Sequence, residues 1–162
     1  MENLTLDISY RKCSYEELEP SDRKIVDAAK DATRRSYSPY SHFSVGAALL
    51  LEGGEIVTGC NQENAAYPSG LCAERTALFS AGSAFPDKAV EVLAIAAYTE
   101  GAFTGIPVTP CGSCRQVMAE TESRHGNHVR IILYGTDFCL VFDKGVTDIL
   151  PFCFGAGQLT GK

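Results

Sequence analysis

An α/β fold, with helices layered on a mixed sheet, is the class to which three features of the chain point. Val45 to Leu51 and Ile56 to Asn61 read as strands joined through Gly53-Gly54, a hairpin that makes one strand pair antiparallel. Beyond it, apolar runs alternate with helical segments, the arrangement that layers helices over a sheet. Val90 to Tyr98 is apolar along nearly its whole length, as a central strand covered on both faces requires.

The elements follow in order. Met1 to Pro20 shows no clear period and reads as an N-terminal extension, residues 1–20, ahead of a single domain over 21–162. Ser21-Asp22 is a plausible cap for a helix reaching about Arg35, with Ile25, Val26, Ala28, Ala29 and Ala32 as its buried stripe. Ser36 to Ser41 is a turn-rich break before the hairpin. A loop containing Pro68 and Gly70 leads into a second helix over Cys72 to Ala81, in which Ala73, Ala77 and Leu78 suit burial. After the central strand, a loop from Glu100 to Pro110 delivers the chain to a third helix over Cys111 to Ser123. Val129 to Tyr134 and Phe138 to Asp143 complete a sheet of about five strands, followed by a short helix near Val146 to Leu150 and a loop-like tail after Pro151.

Composition narrows the function. With 162 residues and 45% apolar content, the chain can bury one full core. The formal net charge of −6, with no cluster of Lys and Arg, argues against a nucleic-acid partner and in favour of small substrates. No apolar run approaches a membrane span, and Met1-Glu2-Asn3 lacks the layout of a signal peptide, so a cytoplasmic location is expected. Seven cysteines cannot all pair within one chain, which favours a reducing compartment.

Three of those cysteines carry the chemistry. Cys111 and Cys114 form a Cys-x-x-Cys at the start of the third helix, and Cys72 opens the second with Glu74 in its first turn. Two helix N-termini converging on one ion would favour ionised thiolates, the form in which zinc binds sulfur. Three protein ligands leave a fourth tetrahedral position for water, which separates a catalytic zinc from a structural one. Glu74 lies two positions from Cys72, so it is not placed to chelate with it and stays free to move protons. Three thiolates outweigh the dication by one negative charge, and either Arg75 or Arg115 could offset the excess, Arg75 being favoured.

Cys72-Ala73-Glu74-Arg75-Thr76-Ala77 and Pro110-Cys111-Gly112-Ser113-Cys114-Arg115-Gln116 resemble the motifs of zinc-dependent cytidine deaminases of the short-chain, homotetrameric type. Tyr37 to Ala48 and Gly59 to Tyr67 resemble that family's substrate segments, so the likeness runs over about Ala32 to Gly155. The resemblance implies a three-layer α/β/α fold with zinc as the one cofactor, and hydrolysis of free cytidine and 2′-deoxycytidine to uridine and 2′-deoxyuridine plus ammonia in pyrimidine salvage. Zinc would activate the water that attacks C4, and Glu74 would shuttle protons. It further implies that Phe43 packs on the pyrimidine, Asn61 and Glu63 hold the ribose, and the Ala73 N–H meets the cytosine carbonyl. Arg75 and Gln116 would support the ligands. Tyr67 and Phe154, with Phe152 as the rival of the latter, would reach a neighbouring subunit's site in a homotetramer. The extension and a lengthened loop at Gly101 to Thr109 depart from the family pattern.

Plainer readings stand beside these. Cys13, Cys60, Cys139 and Cys153 read as structural, although Cys60 or Cys139 could close a four-cysteine scaffold site. Cys111-Gly112-Ser113-Cys114 alone could be a redox motif, which leaves Cys72 and Glu74 unexplained. A deaminase of a nucleoside antibiotic or of a polynucleotide is the remaining enzyme reading. His42, His125 and His128 show no ligand spacing.

Overall fold

The computed structural model describes residues 1–160. Seven strands form one sheet: β1 (Arg11–Cys13), β2 (Ser44–Leu51), β3 (Ile56–Cys60), β4 (Val90–Thr99), β5 (Ala102–Phe103), β6 (Arg130–Leu133) and β7 (Cys139–Phe142). Their order is β1-β7-β6-β4-β2-β3, with β5 paired to the far end of β4. Only β4 and β6 run parallel, and the other pairs are antiparallel, so the sheet is mixed.

Seven strands correct the expectation of about five. The two additions are too short to show a period of two. β1 pairs Arg11, Lys12 and Cys13 with Val141, Leu140 and Cys139 at the sheet edge. β5 turns back on β4 through Glu100 and Gly101, whose φ values of 51° and 83° suit a two-residue turn with both centres left-handed.

Among the described residues, four α-helices accompany the sheet: α1 (Pro20–Ala32), α2 (Ala73–Ala84), α3 (Gly112–His125) and the short α4 (Ala156–Thr160). The first three make the outer layers. In β2, Ala47, Leu49 and Leu51 join the core beneath α2 and α3, while Ala48 faces the core beneath α1. β4 divides likewise: Leu93 and Ile95 face α2 and α3, and Val92, Ala94 and Ala96 face α1. An unbroken apolar run thus serves two cores, because alternate side chains leave opposite faces of a strand. Ile25, Val26 and Ala29 supply the α1 side, and Ala73, Ala77, Leu78, Ala81 and Met118 the other.

Two glycines let the helices sit close. A Cβ on Gly46 would lie 2.0 Å from the Ala29 carbonyl oxygen, and one on Gly59 would lie 2.4 Å from the Ala77 nitrogen and 2.6 Å from the Ala73 oxygen. Gly59 therefore sets how deeply the first turn of α2 rests on β3. No helix among the described residues is long and apolar enough to cross a membrane.

Candidate metal centre and adjoining pocket

Cys72 and Cys111 are the residues immediately before α2 and α3, each with an extended backbone (φ −72°, ψ 156° and φ −67°, ψ 166°). Each carbonyl accepts the first helical hydrogen bond, from Thr76 N–H and Arg115 N–H respectively, both at 3.0 Å. Both cysteines thus occupy the N-cap position, whose side chain turns back over the first turn. Cys114 is the third helical residue of α3, and a cap residue and the third residue of its helix face each other. The Cys-x-x-Cys spacing therefore brings Cys111 and Cys114 together.

The three sulfurs lie within 4.8 Å of one another and form the one potential metal-binding group among the described residues. Cys72 Sγ is 3.8 Å from Cys111 Sγ, which is 3.5 Å from Cys114 Sγ. Tetrahedral zinc with its usual sulfur bond length sets neighbouring sulfurs roughly 3.8 Å apart, so the spacing fits that ion. All seven cysteines are free thiols. Cys60 is not in the group: its thiol donates to the Arg35 carbonyl at 3.1 Å and accepts from Gln62 at 3.3 Å.

Protonation within the cluster is uneven. A hydrogen bond from Cys114, assisted by donation from Arg75 and by the contact with Cys111, draws the Cys72 thiol down to about 5. Cys114 moves upward, because it donates to Cys72 and because it is buried.

The two candidate arginines, of which the sequence favours Arg75, separate in space. Arg75, third residue of α2, reaches back so that Nη2 is 3.7 Å from Cys72 Sγ. Its Nε is buried with no partner, which suits a guanidinium facing excess thiolate charge. Arg115 donates to the carbonyls of Pro110 (2.8 Å) and Ile149 (2.7 Å). Gln116 points elsewhere, donating to the Phe154 carbonyl at 2.6 Å and tying the C-terminal segment to α3.

Glu74, the second residue of α2, is only 4% exposed and lines the same cavity as Cys72 and Cys111. Burial raises its carboxyl above the usual range, and the neighbouring Cys72 thiolate adds to the effect. A carboxyl shifted upward is a stronger base than an ordinary carboxylate, which suits it to take up and hand on a proton.

The cavity holds about 720 Å³, enough for a nucleoside-sized molecule. Phe43, Asn61, Glu63, Tyr67 and Ala73 all line it. Asn61 stitches two strand ends: Oδ1 accepts from Val45 N–H and Nδ2 donates to the Phe43 carbonyl, both at 2.8 Å. Glu63 accepts from the N–H groups of Tyr40 (2.9 Å) and Ser41 (3.3 Å) and from the Ser41 hydroxyl. Tyr67 stands 76% exposed, edge-on to Tyr40 with ring centroids 6.2 Å apart. Phe152 and Phe154 are exposed, and neither lines the cavity of its own chain.

The cavity is also lined by residues that carry no individual signal in sequence, including Ser41, Leu71, Val108 and Thr109. They sit in loops without a period. The one available signal was their nearness to the motifs. Glu122, another buried carboxylate, accepts from Val129 N–H and Val146 N–H at 3.0 and 2.9 Å and is structural.

Residues 19–127 match the family model for the cytidine and deoxycytidylate deaminase zinc-binding region. Over 97 residues the chain is 52% identical to the cytidine deaminase of Sporosarcina psychrophila, an alignment spanning 60% of this chain and 67% of that protein. With the cytidine deaminase of Mycobacterium tuberculosis it shares 39% identity over 134 residues, 81% of this chain and 87% of the other. The crystal structure of cytidine deaminase from Burkholderia pseudomallei superposes with a TM-score of 0.67 at 38% identity, covering 81% of this chain and 97% of that one.

Proposed function

Because the chain belongs to the cytidine and deoxycytidylate deaminase family, we propose that it hydrolyses free cytidine and 2′-deoxycytidine to uridine and 2′-deoxyuridine, releasing ammonia, in pyrimidine salvage. The observation that carries this reading is a buried Glu74 that lines a nucleoside-sized cavity together with Cys72 and Cys111, two members of the converging thiol cluster.

Cys72, Cys111 and Cys114 hold the zinc. Bound there, it supplies Lewis acidity, making a water nucleophilic near neutral pH. Arg75 counters the surplus thiolate charge through Cys72. Glu74 accepts a proton from the attacking water and returns it to cytosine N3, then takes the second from the new C4 hydroxyl and passes it to the exocyclic amine, which departs as ammonia as the C4 carbonyl forms. The raised carboxyl of Glu74 suits both transfers.

The free N–H of Ala73 in the first turn of α2 donates to the cytosine carbonyl. The Phe43 ring stacks on the base. The Asn61 amide keeps one proton beyond its strand contact for the sugar, and the Glu63 carboxylate keeps acceptor capacity for a sugar hydroxyl. Gln116 acts on the site through the C-terminal segment that it holds.

In this reading the protein is a cytoplasmic homotetramer, and the exposed rings of Tyr67 and Phe154 reach the pocket of a neighbouring copy. Residues 21–162 make up the catalytic domain, with residues 1–20 as an extension.

Metal analysis joined to an ultraviolet assay of cytidine loss tests the activity. The expected result is about one zinc per chain and steady conversion to uridine. Zinc-loaded protein that leaves cytidine unchanged would contradict the proposal.

A further inference from the structure

Resting on the reading that this cavity binds a nucleoside, we propose that Ser41 is a positioning residue that ties the Glu63 carboxylate to the Phe43 backbone and so aims it at the sugar. The site thereby selects cytosine joined to a sugar over the free base. The Ser41 hydroxyl touches both walls: it donates its proton to Glu63 Oε1, and its oxygen accepts the Phe43 N–H at 3.1 Å. The backbone N–H groups of Tyr40 and Ser41 hold the other oxygen, Oε2, at 2.9 and 3.3 Å.

Between the two contacts His42 adopts a left-handed backbone, φ 55°, so the chain reverses within one residue. Ser41 and Phe43 both line the cavity as a result. Thr99, at the end of β4, fixes this reversal by donating to the His42 carbonyl at 3.3 Å.

A hydroxyl has a single proton, and here it is committed to Glu63, so Ser41 has none to offer a substrate. Donation from that hydroxyl also keeps the Glu63 carboxyl below its ordinary range. The carboxylate is thus ionised, acceptor-only and aimed, with room left for an incoming sugar hydroxyl. Without the Ser41 hydroxyl, Glu63 would keep its charge and its two backbone contacts at Oε2 but lose the link that ties Oε1 to the Phe43 backbone.

Steady-state kinetics on cytidine, with calorimetric binding of uridine as an activity-independent readout, test this in zinc-loaded protein. Ser41→Ala is expected to raise KM for cytidine and Kd for uridine by on the order of tenfold, with a smaller change in kcat. The preference for cytidine over cytosine should narrow, since the base contacts are untouched. Ser41→Thr, which keeps the hydroxyl, should recover most of the affinity.

In a Glu63→Ala background the Ser41→Ala change should cost no more than about twofold, because the group it positions is gone. An equal loss in both backgrounds, or an unchanged Kd in Ser41→Ala, would overturn the role of Ser41. A native protein that neither deaminates cytidine nor binds uridine would instead overturn the nucleoside reading itself.

Discussion

The half of the pocket proposed to hold metal (the metal half) and the half proposed to hold sugar (the sugar half) are held in different ways. Cys72, Cys111 and Cys114 sit in the first turns of two helices docked on the sheet, so regular secondary structure sets their positions. Asn61, Glu63 and Phe43 sit where strands give way to loops, and cross-links between their own side chains and nearby backbone hold them. On the proposed function, the chemistry rests on helix starts packed against the sheet, and recognition rests on a network of individually modest hydrogen bonds. The first half should fail abruptly when altered and the second by degrees.

The sharpest break is expected at the ligands. Cys114→Ser, in the fully buried member of the cluster, should reduce zinc from about one per chain to near zero and abolish deamination, measured by metal analysis and ultraviolet assay. Retention of both would show that the thiol triad is not the metal site. Next comes Glu74→Gln, which keeps the shape and the zinc but loses at least about 10²-fold in kcat. If zinc disappeared with the activity, Glu74 would be holding metal and not moving protons.

Gly59→Ala tests whether helix docking governs the metal half. An added Cβ 2.4 Å from the Ala77 nitrogen must push the first turn of α2 outward. Thermal unfolding should show a loss of about 1–3 kcal/mol, and zinc affinity should fall with it. Gly112→Ala is the control, since its Cβ would meet nothing within 4 Å.

The smallest effect belongs to the sugar half. Asn61→Ala removes contacts to Val45 and Phe43, each worth on the order of 1 kcal/mol, so KM for cytidine should rise while zinc content stays unchanged. A variant that lost zinc would join the two halves into one structural unit.

The same contrast explains what the sequence alone could reveal. The metal half was legible because helix starts have a spacing rule: Cys111 and Cys114 must meet if α3 begins where it does. The central strand was legible from its long apolar run, and the hairpin from Gly53-Gly54. β1 and β5, of three and two residues, are shorter than any period that could betray them. The choice between Arg75 and Arg115 was open in sequence, since each directly follows a motif residue. Which guanidinium faces the sulfurs depends on how each helix is rotated on the sheet, a tertiary property. Gln116 teaches the same lesson, as its amide is directed to the C-terminal segment. The contact of Ser41 with both Glu63 and Phe43 depends on a left-handed residue at His42, which nothing in the local composition announces.

Zinc-edge X-ray absorption on the purified, zinc-loaded protein tests the central claim most directly, because it counts the sulfurs around the ion. Three sulfurs at about 2.3 Å and one oxygen or nitrogen at about 2.0 Å are predicted. Four sulfurs would mean a closed site with no place for water, and would contradict the account.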